Sequence, residues 1–246
     1  MKANKKKIGI LLYGVTRGQG GIVSQKFKEF VINELKKNFD LTIFLHCFTM
    51  NEMAIDPRRK KNNVIKIEDK QDWKLFNPDF AETKDQMDFF QHFDYKNFIN
   101  LKFDHFADKY YSIRNYINSL HSLQKCFELS KDFKFDCYLC SRLDLLYRDN
   151  IKLLTSVNDV INNPNKNILY TPVWNKSTGL NDRISIGNHN VMSAYSNRIN
   201  QYKNHKTLHP ERFLLHLSKS HNFINKTFRM YASRIRVDGS TLNWPS

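Results

Sequence analysis

The stretch FDCYLCSRLDLLYRD, residues 135–149, decides how the rest of the chain is read. Residues 135–140 are apolar and β-prone, which predicts a short buried strand. That strand runs straight into Ser141-Arg142-Leu143-Asp144, so an arginine and a carboxylate arrive together at its end. In an open α/β sheet, ligands bind at the carboxyl ends of the strands. Arg142 and Asp144 could there hold a diphosphate between them, the guanidinium directly and the carboxylate through a divalent cation. Asp144 could also do no more than cap a turn after the strand.

Working outward, the chain opens with KIGILLY, residues 7–13, a near-continuous apolar run of the kind a parallel strand shows when both faces are covered. Gly14-Val15-Thr16-Arg17-Gly18 makes a flexible turn, and apolar residues at helical spacing follow over 22–37. LTIFLHC, residues 41–47, is the second strand, which completes a βαβ unit. The glycine loop offers close backbone approach and one arginine. It is neither G-x-G-x-x-G nor a P-loop, so structural turn and phosphate contact stand level. Residues 64–67 read as a third strand, and 69–100 as irregular with short helices. The longest helical pattern covers 106–131 and feeds the strand at Phe135. Beyond Asp149 come a helix over 151–161, strands over 168–171 and 184–187, and a helix over 189–202. A further helix opens at His209-Pro210-Glu211, and a strand spans 228–237.

The chain has 246 residues, of which 41% are hydrophobic and 13% aromatic, enough for a packed core in one large α/β domain or two small ones; with no internal repeat or low-complexity linker, one domain is the economical reading. That composition argues against global disorder. A formal charge of +15 predicts attraction to anions without choosing among nucleic acid, lipid head groups and nucleotide diphosphates. Its densest clusters, Lys5-Lys6-Lys7 and Arg58-Arg59-Lys60-Lys61, read as solvated surface, with a specific anion contact as the alternative for each. The four cysteines are too few for a disulfide framework. Alternation puts Cys137 and Cys140 on opposite strand faces, so they read as structural thiols in a reducing compartment. No leader is evident and no run nears the roughly 20 apolar residues of a membrane span. The expectation is a soluble, cytoplasmic protein, with peripheral contact to a membrane surface left open.

Further motifs stand in a fixed order: GVTRG, LTIFLHCF, KYYSIRNYINSLHSLQKCFEL, CSRLDLLY, TPVWNKSTGLNDRISIGN, HPERFLLHL and SRIRVDG. In that order the chain resembles glycosyltransferases of the GT-A fold. More narrowly it is similar to a group from bacterial surface-polysaccharide clusters and large DNA viruses, with Arg142 where the first Asp of Asp-x-Asp would stand. The resemblance implies an α/β, Rossmann-like, mixed and mostly parallel sheet flanked by helices. It implies one domain over 1–246, with a nucleotide-binding half about 1–150 and an acceptor-binding half about 151–246. It implies inverting transfer of a hexosyl or pentosyl group from a nucleoside diphosphate sugar to a hydroxyl of a glycan or glycolipid, assisted by Mn²⁺ or Mg²⁺, in polysaccharide biosynthesis.

On that reading Gly14, Thr16, Arg17, Tyr111, Arg142, Asp144 and Arg183 contact the nucleotide sugar, and Asp144 and Asp238 hold the metal. Glu211 or Asp182 is the catalytic base. Each has a plainer alternative: Glu211 as a helix-start residue, Asp182 as an ion-pair partner of Arg183, Tyr111 as packing, Asp238 as an Asp-Gly turn. Trp174 could stack on a sugar or sit in the core, and His209 could reach the metal or diphosphate. Two other classes compete. One is a basic, non-catalytic nucleic-acid-binding protein, although no recognised nucleic-acid motif is present and no nucleic acid is expected as partner. The other is an inactive sugar-nucleotide-binding relative.

Overall fold

A computed structural model of the protein describes residues 5–54, 63–99, 108–174, 178–206 and 209–242. The basic cluster at 58–61 and the expected start of the long helix at 106–107 lie outside them.

Strand β1 (Lys6–Gly14) is followed by a helical run of Gly20–Phe27, a π-helical stretch Lys28–Ile32, and Asn33–Lys36. Then come β2 (Phe39–Thr49), a small hairpin of β3 (Glu52–Ala54) and β4 (Val64–Lys66), a 3₁₀ turn Asp72–Phe76, and β5 (Phe80–Asp85). The long helix Tyr111–Glu128 leads into β6 (Cys137–Arg142) and β7 (Leu145–Tyr147). Helix Leu153–Asn162, β8 (Ile168–Pro172) and β9 (Ile184–Gly187) follow, then helices His189–Ser196, Ile199–Tyr202 and Pro210–Ser220. β10 (Ile224–Phe228), β11 (Ala232–Ile235) and β12 (Thr241–Leu242) close the chain.

Seven strands form the main sheet in the order β10-β8-β9-β6-β1-β2-β5. Numbered within the sheet from the β5 edge, that is 3-2-1-4-6-5-7. β9 alone runs against its neighbours; the other recorded pairings are parallel. The expected mixed, mostly parallel sheet is therefore present. The first four strands follow the doubly wound order, whose direction reverses between β1 and β6, and that is where such sheets bind ligands.

Alternation along the central strands explains the two packed faces. Ile8, Ile10, Leu12, Cys137 and Leu139 face one core with Val23, Phe27, Val31 and Val157. Leu11, Tyr13, Tyr138 and Cys140 face the other with Leu123, Phe127, Met192 and Leu214. Cys137 and Cys140 thus lie on opposite faces, and all four cysteines are free and buried.

Three expectations are corrected. β5 was expected to be irregular, and it is the parallel edge strand; its six residues are all exposed, so no apolar pattern marks it. The strand expected over 228–237 is two strands in different sheets, because the chain leaves β10 at Phe228 and joins β7 through β11. The helix expected over 189–202 breaks between Ser196 and Ile199, around the buried Arg198.

Among the described residues, no helix is long and apolar enough to cross a membrane.

Candidate active site

The carboxyl ends of β1 and β6 lie side by side, with Tyr13 opposite Arg142. β6 then turns sharply through Leu143 and Asp144 into β7, which pairs antiparallel with β11 and sets Arg234 opposite Leu145. The Ile235 N–H donates to the Asp144 carbonyl at 3.0 Å, so the small sheet delivers Arg234 to a carboxylate 90 positions away.

Three guanidiniums converge on Asp144. Arg142 donates Nε to Oδ1 at 2.9 Å and Nη2 to Oδ2 at 2.7 Å. Arg17 donates Nε to Oδ2 at 2.8 Å, and Arg234 donates Nε to the same oxygen at 3.2 Å. The Asp144 side chain is 1% exposed, against 19% for Arg142 and 29% for Arg234. Burial alone would raise the Asp144 carboxyl; Arg142, Arg17 and Arg234 outweigh it and hold the group well below the usual carboxylate range. Asp144 is therefore no open ligand at the strand end. It is the anchor at the centre of an arginine cluster, and only the arginines reach solvent.

Arg17 is delivered by the glycine loop. Gly14 and Gly18 take φ of +108° and +71°, which glycine adopts without strain, and Arg17 itself sits in the left-handed region at φ +60°. The loop is tied down at both ends. The Gly14 N–H donates to Ser122 Oγ at 2.8 Å. Thr16 Oγ1 donates to Asp72 Oδ1 at 2.6 Å, and the Gly20 N–H donates to Asp72 Oδ2 at 2.7 Å. Thr16 is buried and engaged with Asp72, so it fixes the loop that presents Arg17. A cleft lined by Val15, Arg17, Phe48, Met53, Ile67 and Lys70 opens beside that arginine at the end of β2.

A second cluster sits where β9 begins. The Arg142 N–H donates to the Arg183 carbonyl at 3.2 Å, which joins the two clusters through the backbone. Arg183 Nη1 lies 3.6 Å from Asp182 Oδ1 and 3.4 Å from Glu211 Oε1. The two residues weighed as base are thus brought to one arginine, with side chains only 7% and 12% exposed. Burial first, and then the neighbouring Asp182, push the Glu211 carboxyl up, against the pull of Arg183. The support below is polar and buried. Tyr13 and Tyr195 donate their hydroxyls to the Asp182 carbonyl at 3.0 and 2.8 Å, and the Arg198 guanidinium lies 3.9 Å from the Tyr195 ring centre. Gly179 presses on the start of helix Pro210–Ser220: a Cβ there would stand 2.1 Å from the Glu211 carbonyl oxygen.

The remaining candidates lie apart from these clusters or serve packing. Tyr111 is exposed at the first turn of the long helix, and among the described residues no hydrogen bond joins its side chain to the arginines. Trp174 is a core residue whose Nε1–H donates to the Met230 carbonyl. His209 stands at the N-cap position of helix Pro210–Ser220, with no capping hydrogen bond from its side chain. Asp238 is exposed and accepts from the Ser240 N–H and Oγ–H at 3.0 and 2.6 Å, an Asp-Gly turn closing on itself. Arg234, Asp72 and Arg198 were not assigned from sequence. Only Arg234 left a signal there, as the first basic residue in SRIRV.

The residues do not fit the expected Mn²⁺ or Mg²⁺. Asp144 already accepts four N–H bonds, three on Oδ2 and one on Oδ1, so what acceptor capacity it keeps lies on Oδ1, beside Arg142 Nε. A divalent cation would have to enter among three positive charges. Among the described residues, no three His, Cys, Asp or Glu side chains gather as a metal site.

No family model and no curated protein matches the chain. Among solved structures it is similar to mouse xyloside xylosyltransferase 1 in its apo form, at 12% identity over 92% of this chain and 85% of that one, with a TM-score of 0.42. It is also similar to the galactosyltransferase LgtC in complex with donor and acceptor sugar analogues, at 10% identity over 89% and 72% of the two chains, with a TM-score of 0.35. Likenesses this distant carry no weight for the chemistry of this chain, which rests on its own strand order and side chains.

Asp144→Asn keeps the shape of the anchor and removes its charge, leaving three arginines to repel one another. A loss of about 3–5 kcal/mol is expected in urea unfolding at neutral pH. The folded Asp144 carboxyl lies below its unfolded value, so its contribution is present above about pH 4 and is lost as pH falls toward the folded value. The variant's stability should therefore fall less steeply with acid than the native chain's. Gly179→Ala should lower the melting temperature and displace Glu211, detected as a change in the acid limb of whatever activity the chain shows.

Proposed function

We propose that the chain is a glycosyltransferase of the GT-A type, moving a sugar from a nucleoside diphosphate donor to a hydroxyl of a glycan or glycolipid. The observation that carries this reading is the pairing of two clusters at one sheet edge. One is a net-positive arginine cluster at the switch point between β1 and β6; the other is a buried carboxylate pair beside it. Glycosyl transfer needs both. As the bond between the anomeric carbon and the diphosphate oxygen breaks, its electron pair goes to the diphosphate, whose growing charge the arginines stabilise. As the acceptor oxygen bonds to that carbon, its proton goes to a carboxylate.

Glu211 is the base in this proposal. Its raised carboxyl gives it more basicity than an exposed glutamate, and Arg183 orients it. Asp182 shares that arginine and holds sugar hydroxyls or takes the proton in Glu211's place. The cleft beside Arg17 is the seat for the nucleoside, within reach of the same arginine that touches the diphosphate. Attack from the face opposite the leaving group implies inversion of configuration. The sequence-based division into donor and acceptor halves meeting near residue 150 is kept in this proposal with one exception: Arg234 comes from the second half to the donor-side cluster.

Slow hydrolysis of nucleoside diphosphate sugars, or transfer to a glycan, is the activity to measure. Because the Glu211 carboxyl is raised, the base form predominates only above that raised value, so kcat/KM should climb with pH through it. Glu211→Gln should cost about 10²–10⁴-fold and flatten that limb. An unchanged rate and pH profile in Glu211→Gln would remove it as the base.

A further inference from the structure

Resting on the glycosyl-transfer reading above, we infer that Arg17, Arg142 and Arg234 themselves grip the leaving diphosphate, with Asp144 as the buried anchor that aims them and no divalent cation between protein and phosphate. Three guanidiniums against one carboxylate leave two positive charges in a space about one side chain across. Such an excess is costly to hold in a folded protein unless an anion completes it. Two phosphoryl groups supply that complement, and guanidinium forks match phosphate oxygens in geometry as well as charge.

The hydrogen bonds show how the trio is held for a ligand. Arg234 gives the carboxylate only its Nε–H; among the described residues its two terminal nitrogens have no recorded acceptor, and its side chain is the most exposed of the three. The repulsion is felt there. Arg17 first, and then burial, push the Arg234 guanidinium well below its ordinary value, and an incoming anion would relieve this. Arg17 is held in a left-handed backbone conformation by the Asp72 tie on the loop. Its cluster also adjoins the cleft beside β2, toward which a ligand held by the arginines would extend. The carboxylate that would ordinarily carry the cation is bonded at both oxygens by these same arginines.

Titration calorimetry of the full chain with uridine and guanosine diphosphates, in EDTA and then in Mn²⁺ or Mg²⁺, tests the inference without relying on activity. At least one nucleotide should bind in EDTA within about twofold of its affinity with metal, and the affinity should fall steeply with salt. Arg234→Gln should weaken binding about 10–100-fold, and Arg234→Lys, which keeps the charge without the fork, should lie between. Thermal melts of both variants keep a folding defect from passing as lost affinity. Binding that appears only with metal overturns this inference and leaves glycosyl transfer standing. Binding in EDTA that neither Arg234 variant alters, with both folded, overturns the arginine grip. Binding of neither diphosphate under any condition overturns the inference together with the reading it rests on.

Discussion

Everything at the sheet edge depends on one buried carboxylate shared by three arginines. Asp144 could not stay ionised at 1% exposure without them, and they could not stand so close without it. The interaction ties three parts of the chain together: the loop after β1 through Arg17, the end of β6 through Arg142, and the small second sheet through Arg234. A charged centre of this kind does little for net stability against an apolar core of equal volume. What it provides is a fixed array of donors gathered on one anchor, to which Arg17 and Arg234 each give only Nε.

Around that centre the fold supplies position. β1 and β6 run parallel at the switch point, so the residues at their ends share one edge. β9 runs the other way beside β6, so its first residues, not its last, arrive at that edge, and with them Asp182 and Arg183. Helix Pro210–Ser220 adds Glu211 from its first turn, held against Gly179 at a distance that admits no side chain. The arginine cluster and the carboxylate pair thus meet across a single strand pairing. In the proposed function, that arrangement serves a leaving group that gains negative charge and a nucleophile that sheds a proton.

The sequence made much of this legible, and the reasons are local. Continuous apolar runs revealed β1, β2 and β6, because strands buried on both faces have no polar residues to interrupt them. Arg142 and Asp144 were visible as charges interrupting such a run, and Asp182, Arg183 and Glu211 as charges at element starts. β5 was hidden because an exposed edge strand keeps no pattern. Arg234's role was hidden because nothing local says that β11 pairs with β7 and not with the main sheet. Asp144 was read as a metal ligand because spacing shows which residues are near one another and not how many partners a carboxylate already has. The Thr16–Asp72 tie and the Tyr13–Asp182 bond join residues 56 and 169 positions apart and leave no local mark.

The most direct test of the central claim is a structure of the chain with uridine or guanosine diphosphate bound. The account predicts phosphate oxygens within hydrogen-bonding distance of at least two of Arg17, Arg142 and Arg234, with Asp144 still buried behind them. A nucleotide seated away from all three, with the cluster undisturbed, would contradict it.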